Sequence, residues 1–93
     1  MTFKPLPAWL AKLVRQPLSE SQTLALVCWA EDVKNRGAQG PEESVEASEL
    51  LYHLNRGNFQ VAAAEFTKWC LVKGRVNNSK LASRRMEQRL FGK

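Results

Sequence analysis

One histidine, one tyrosine and two cysteines stand among the 93 residues. A single histidine leaves a Cys–His zinc site without a ligand set, and no metal or cofactor is expected. Cys28 and Cys70 fall inside apolar helical runs and read as small core hydrophobes rather than as ligands or a disulfide. Long apolar runs are missing too. The stretch from Ala8 to Leu13 is short, is broken by Lys12 and has no small-residue cleavage site after it, whereas a membrane-spanning helix needs about 20 apolar residues. A signal peptide or membrane anchor is therefore not expected, and the expected location is the cytoplasm. No segment alternates apolar and polar residues as strands do, and there is no internal repeat. Acidic residues are absent from the first nineteen positions, Glu20 being the first.

What is present is helical signal. Pro7 suits the first position of a short helix with Trp9, Leu10, Leu13 and Val14 on one side. Ser19 with Gln22 makes a capping-box pair. From Thr23 to Ala30 nearly every residue is apolar, which predicts a central helix buried on all sides. Residues 34–41, with Gly37 and Gly40, form a loop. A third helix is predicted from Glu42 to Leu54, a fourth from Asn58 to Val72 and a fifth from Ser79 to Leu90. Within the fourth, Phe59, Ala62, Ala63, Phe66, Trp69 and Cys70 recur at helical spacing and give one apolar face. Asn58 is its predicted N-cap, and Gly57 and Gly74 are positions where positive φ can end a helix. The fold class is all-α: one small domain, residues 1–93, of about five helices. Leu24, Val27, Leu54, Phe59, Phe66 and Trp69 are predicted to share its core. A chain this short buries only about 60 to 65% of its unfolded surface, so its stability should be marginal.

Charge is unevenly placed around a net +5. Between Gly37 and Phe66 the acids Glu42, Glu43, Glu46, Glu49 and Glu65 face Arg56 alone. From Thr67 onward Lys68, Lys73, Arg75, Lys80, Arg84, Arg85, Arg89 and Lys93 face only Glu87. Lys80 and Arg84, like Arg85 and Arg89, are i, i+4 neighbours, so the cations form a stripe beside Ala82, Met86 and Leu90. Arg75, Lys80, Arg84, Arg85 and Arg89 are thus candidates to contact an acidic partner; the bland alternative is a solvated face helped by the helix dipole. Glu42, Glu46, Glu49 and His53 wind round one side of the predicted third helix, and Glu49 with His53 is an ordinary i, i+4 pair. Glu31 and Asp32 are adjacent, about 100° apart on a helix, and cannot oppose each other across a substrate; a helix-end or loop role is expected.

Residues 50 to 57 (LLYHLNRG), Phe59 to Trp69, Gly74-Arg75-Val76 and residues 84 to 91 (RRMEQRLF) together resemble the C-terminal lobe of the T4/P22-type phage lysozymes, or endolysins. A fainter likeness through Pro17-Leu18-Ser19 extends the resemblance over residues 17–91, leaving 1–16 as an N-terminal extension. The loop from Asp32 to Glu43 departs from the family's glycine pattern, and Asn77-Asn78 replaces a proline-containing turn. The resemblance implies a lysozyme-like helical lobe in a bacterial host. It also implies that the family's catalytic glutamate, aspartate and threonine belong to a preceding lobe. None of them can be matched here, and glycoside hydrolysis uses a carboxyl pair flanking the scissile bond.

The expectation drawn from residues and resemblance is a non-catalytic lysozyme-like module, not an enzyme. It would act by binding cell-wall glycan, a lysis-related protein or a host protein with an acidic surface. Trp9, Leu10 and Leu13 are expected to dock over apolar surface that a second lobe would cover, and a homodimer would cover it equally. A nucleic-acid-binding helix-turn-helix built on the last two helices is the alternative, with a fragment of an active muramidase as a second.

Overall fold

The computed structural model describes residues 6–92; Lys93 and the first five residues of the N-terminal extension lie outside them. The elements are α1 (Ala8–Ala11), α2 (Glu20–Lys34), α3 (Glu49–Asn55), α4 (Phe59–Glu65), a single 3₁₀ turn (Phe66–Lys68), β1 (Leu71–Val72), β2 (Arg75–Val76) and α5 (Asn78–Phe91). The helical class predicted from the sequence holds, with one small antiparallel hairpin added.

Helix α2 starts where the capping box places it. Gln22 N donates to Ser19 Oγ at 3.2 Å and Ser19 N to Gln22 Oε1 at 3.0 Å, so two backbone donors are satisfied reciprocally. α2 packs against α5, and α3 against α4. Trp29 is the hub of the core: its ring meets Phe66 and Trp69 edge-on, with centroids 6.0 and 5.4 Å apart. Phe91 then joins Phe66 to Phe59. From α1, Leu10 is fully buried, with Trp9 and Leu13 packed against the same cluster, so the N-terminal segment does dock onto the core.

Several sequence expectations need correction. α2 is not buried on all sides, and Leu24 is 37% exposed rather than part of the core. It shares an outer stripe with Glu20, one turn before it, and Cys28, one turn after, so Cys28 is exposed and not the core hydrophobe expected, whereas Cys70 is buried. The third helix begins at Glu49, not Glu42, because local side-chain bonds hold the preceding segment in turns. Ser44 Oγ accepts from Ala47 N, Glu42 Oε1 accepts from Glu49 N, and Ser48 Oγ both caps α3 through Leu51 N and donates to Val45 O. Glu42, Glu46, Glu49 and His53 therefore do not lie along one helix, although Glu49 and His53 do pair at 3.3 Å.

The fourth helix ends at Glu65 instead of Val72. The chain tightens into the 3₁₀ turn and leaves it at Trp69, whose ψ of 59° is not helical. Beyond it Lys73 and Gly74 carry φ of 53° and 78°, the pair of positive angles that a two-residue hairpin turn requires. Gly74 thus turns a hairpin rather than capping a helix, and Leu71 pairs with Val76 across it. Finally, the 3₁₀ turn and hairpin separate α4 from α5, leaving no short turn of the kind a helix-turn-helix uses. Gly57, at φ 80°, ends α3 as predicted: its amide reaches Leu54 O and Asn58 N reaches His53 O.

Candidate functional site

The loop leaving α2 shapes the most site-like surface. α2 ends in the same two-bond closure as α3, with Arg36 N donating to Val33 O and Gly37 N to Asp32 O. Here Arg36 holds the left-handed position at φ 61°, where glycine is usual. Three residues on, Gln39 exchanges both backbone bonds with Leu71 of β1, at 2.7 and 3.0 Å, so the loop is tied to the hairpin. Gly40 then lies flat against Trp69: a Cβ there would stand 2.3 Å from the indole.

Between these parts lies a cavity of about 370 Å³ with Val33, Ala38, Trp69 and Leu71 as its apolar lining and Arg36, Gln39, Glu42 and Glu43 as its polar one. A second cavity of about 340 Å³ adjoins it, sharing Val33, Arg36 and Glu43 and reaching Trp9, Lys34 and Ser44. The Lys34 ammonium stands 4.2 Å from the centroid of Trp9. With three lining residues in common, the two cavities are neighbouring halves of a site termed the Trp9–Trp69 groove. A larger hollow of about 550 Å³ opens between the end of α1 and α3, around Lys12, Arg15, Glu46, Glu49, Tyr52 and Arg56. Size favours that hollow, where five charged side chains stand among uncharged ones such as Leu13, Leu51 and Tyr52. The Trp9–Trp69 groove draws polar and apolar groups from α1, α2, the loop and β1 onto backbone that is hydrogen-bonded in place, which suits a specific ligand better.

The five cations predicted to face a partner are split by the fold. Arg84 is an interior residue, 2% exposed: its Nε stands 2.7 Å from Glu87 Oε1, its Nη2 donates to Glu87 Oε2 at 2.9 Å, and its Nη1 lies 3.0 Å from Asp32 Oδ2. Lys80 donates to Asp32 Oδ1 at 2.9 Å with its side chain part-buried. Arg75 on β2 and Arg85 and Arg89 on α5 are exposed. Spacing along α5 made its four cations look alike; Asp32, 48 and 52 residues before Lys80 and Arg84, is what sets those two apart. Burial pushes the Glu87 carboxyl above its ordinary value of 4.5, and the Arg84 guanidinium pulls against that rise. Asp32 does have the helix-end place predicted for it. Its ion pairs were not legible from sequence neighbours. Among the described residues no group of three His, Cys, Asp or Glu side chains is placed to hold a metal ion, and no helix is long and apolar enough to cross a membrane.

Residues 4–88 match the model of the phage lysozyme family, and the chain belongs to that family. It is similar to an endolysin of Bacillus phage B103, with 41% identity over 80 residues covering 86% of this chain and 28% of that protein. The match takes in α1, so the likeness reaches further toward the N-terminus than residue 17. These findings overturn the expectation of a non-enzymatic module, since the family is one of lysozymes and the relative an endolysin. The missing early carboxylate pair was a poor guide: the chain spans little more than a quarter of the length of the curated relative it matches.

Proposed function

We propose that the chain works in the cleavage of bacterial cell-wall glycan, as a part of a phage lysozyme that holds the polysaccharide strand, and that the strand lies in the Trp9–Trp69 groove. The adjacency of the two cavities supports this reading: they have Val33, Arg36 and Glu43 in common, and so offer a linear polymer two neighbouring sites instead of a single closed pocket. Sugar rings present apolar faces and a rim of hydroxyls. Val33 and Leu71 supply surface for the former. Gln39, Glu42 and Glu43 supply acceptors for the latter, and Arg36 and Lys34 supply donors that also suit the free carboxylates of the stem peptides carried by the strand.

Co-sedimentation with purified peptidoglycan sacculi tests it. The chain should pellet with sacculi, and a Gln39→Ala/Glu43→Ala variant, altered only at exposed rim positions, should bind on the order of tenfold more weakly, as loss of about 1.4 kcal/mol implies. Tyr52→Ala, in the α1–α3 hollow, should bind as the parent does. A parent chain that stays in the supernatant, or a loss confined to Tyr52→Ala, refutes the assignment.

A further inference from the structure

Behind the groove lies a charge cluster that its lining does not use. Asp32, in the last turn of α2, receives Lys80 Nζ on one oxygen and Arg84 Nη1 on the other, and Glu87 holds Arg84 from the far side. Exposure of the three acidic and guanidinium side chains is low, at 19% for Asp32, 2% for Arg84 and 9% for Glu87. Such a network adds little net stability, because removing charges from water offsets most of their mutual attraction. Geometry is where it acts. Gly37, at the root of the loop, sits so close to it that a Cβ would stand 2.0 Å from Asp32 Oδ1 and 3.1 Å from Lys80 Nζ. The Gly37 amide also donates to Asp32 O at 2.8 Å. The same residue therefore ties α2 to α5 with its carboxylate and seats the loop with its carbonyl. Two residues further on, Gln39 makes the bridge to Leu71 that closes the groove wall.

We propose that Asp32, held by Lys80, Arg84 and Glu87, is a positioning residue for the groove: it fixes the loop of residues 37–43 against β1 and so sets the width available to a ligand. Its link to glycan rests on the function proposed above; its action on the loop does not. Two variants perturb it independently. Asp32→Asn weakens both ion pairs while keeping the shape. Gly37→Ala leaves all four charges and pushes the carboxylate aside sterically.

Amide hydrogen exchange, read beside sacculus binding, tests the proposal. The Gln39 and Leu71 amides should exchange at least tenfold faster in both variants, with a smaller rise at Leu26 in the middle of α2, and sacculus binding should weaken in parallel. Equal rises at Leu26 and Gln39 would show a general loss of stability, and unchanged Gln39 exchange would show a loop held by something else; either overturns the proposal. Should Asp32→Asn fail to fold, Gly37→Ala decides alone. Faster loop exchange together with a parent chain that binds no sacculi would uphold the positioning role and refute the glycan reading.

Discussion

At the scale of single residues, Arg36 is the sharpest departure from what the backbone prefers. A side chain in the left-handed region costs about 1 kcal/mol relative to glycine, and strain of this kind persists where a residue is kept for another reason. Arg36→Gly is therefore expected to raise the thermal midpoint while weakening sacculus binding, since the guanidinium lines both halves of the groove. A variant that gained stability and kept full binding would place the residue outside the ligand's reach. Arg84 and Arg85 make a second contrast between neighbours. Arg84→Ala leaves Glu87 buried without its cation and Asp32 with Lys80 alone, and should cost about 3 to 5 kcal/mol, a large share of the total for a small domain. Arg85→Ala, on the exposed face, should stay within about 0.5 kcal/mol in the same urea titration. Glu87 adds a pH dependence. Its carboxyl is raised above 4.5 in the folded chain, so the fold binds that proton more tightly than the unfolded chain does. The contribution is fully present below 4.5 and is lost as pH rises through the raised value. The stability of the parent relative to Glu87→Gln should accordingly fall as pH rises from 4.5; a flat difference would place Glu87 in an unperturbed site.

Among the elements, how much could be read in advance depended on whether the signal was local. The capping box of α2 was legible because Ser19 and Gln22 are three residues apart and satisfy each other. Ser19→Ala should cost about 1 kcal/mol, measurable as a lower urea midpoint. The turn at Gly57 was legible for the same reason. Residues 42–48 were misread as helix because glutamates at helical spacing look amphipathic, while the serines between them bind their own backbone. The hairpin was missed because its strands are two residues each, too short for alternation to show, and because Phe59, Phe66 and Trp69 continue a helical rhythm that the chain itself abandons at Glu65. Lys73-Gly74 between Leu71-Val72 and Arg75-Val76 was the available signal, masked by the equally good use of glycine as a helix cap.

For the molecule as a whole, the core was legible and the site largely was not. Val27, Leu54, Phe66 and Trp69 converge as their periodicity implied, with Phe59 packed beside them and Leu24 outside. Phe66→Ala should cost about 3 to 5 kcal/mol and abolish a cooperative transition at moderate temperature, which a thermal scan by circular dichroism would show. The groove draws on residues from Trp9 to Leu71, a span over which no motif spacing operates, so sequence neighbours gave no reason to group them. The tie between Asp32 and α5 has the same long reach, and it bears on the order of events as the chain folds. Closing a loop of 48 or 52 residues is slow to be rewarded compared with turns such as Ser19–Gln22 or Gly57, so these ion pairs should form after the folding barrier has been crossed. Loss of Arg84 should then leave the refolding rate nearly unchanged and appear almost wholly as faster unfolding, so that this one arginine governs how long the folded chain lasts rather than how quickly it forms.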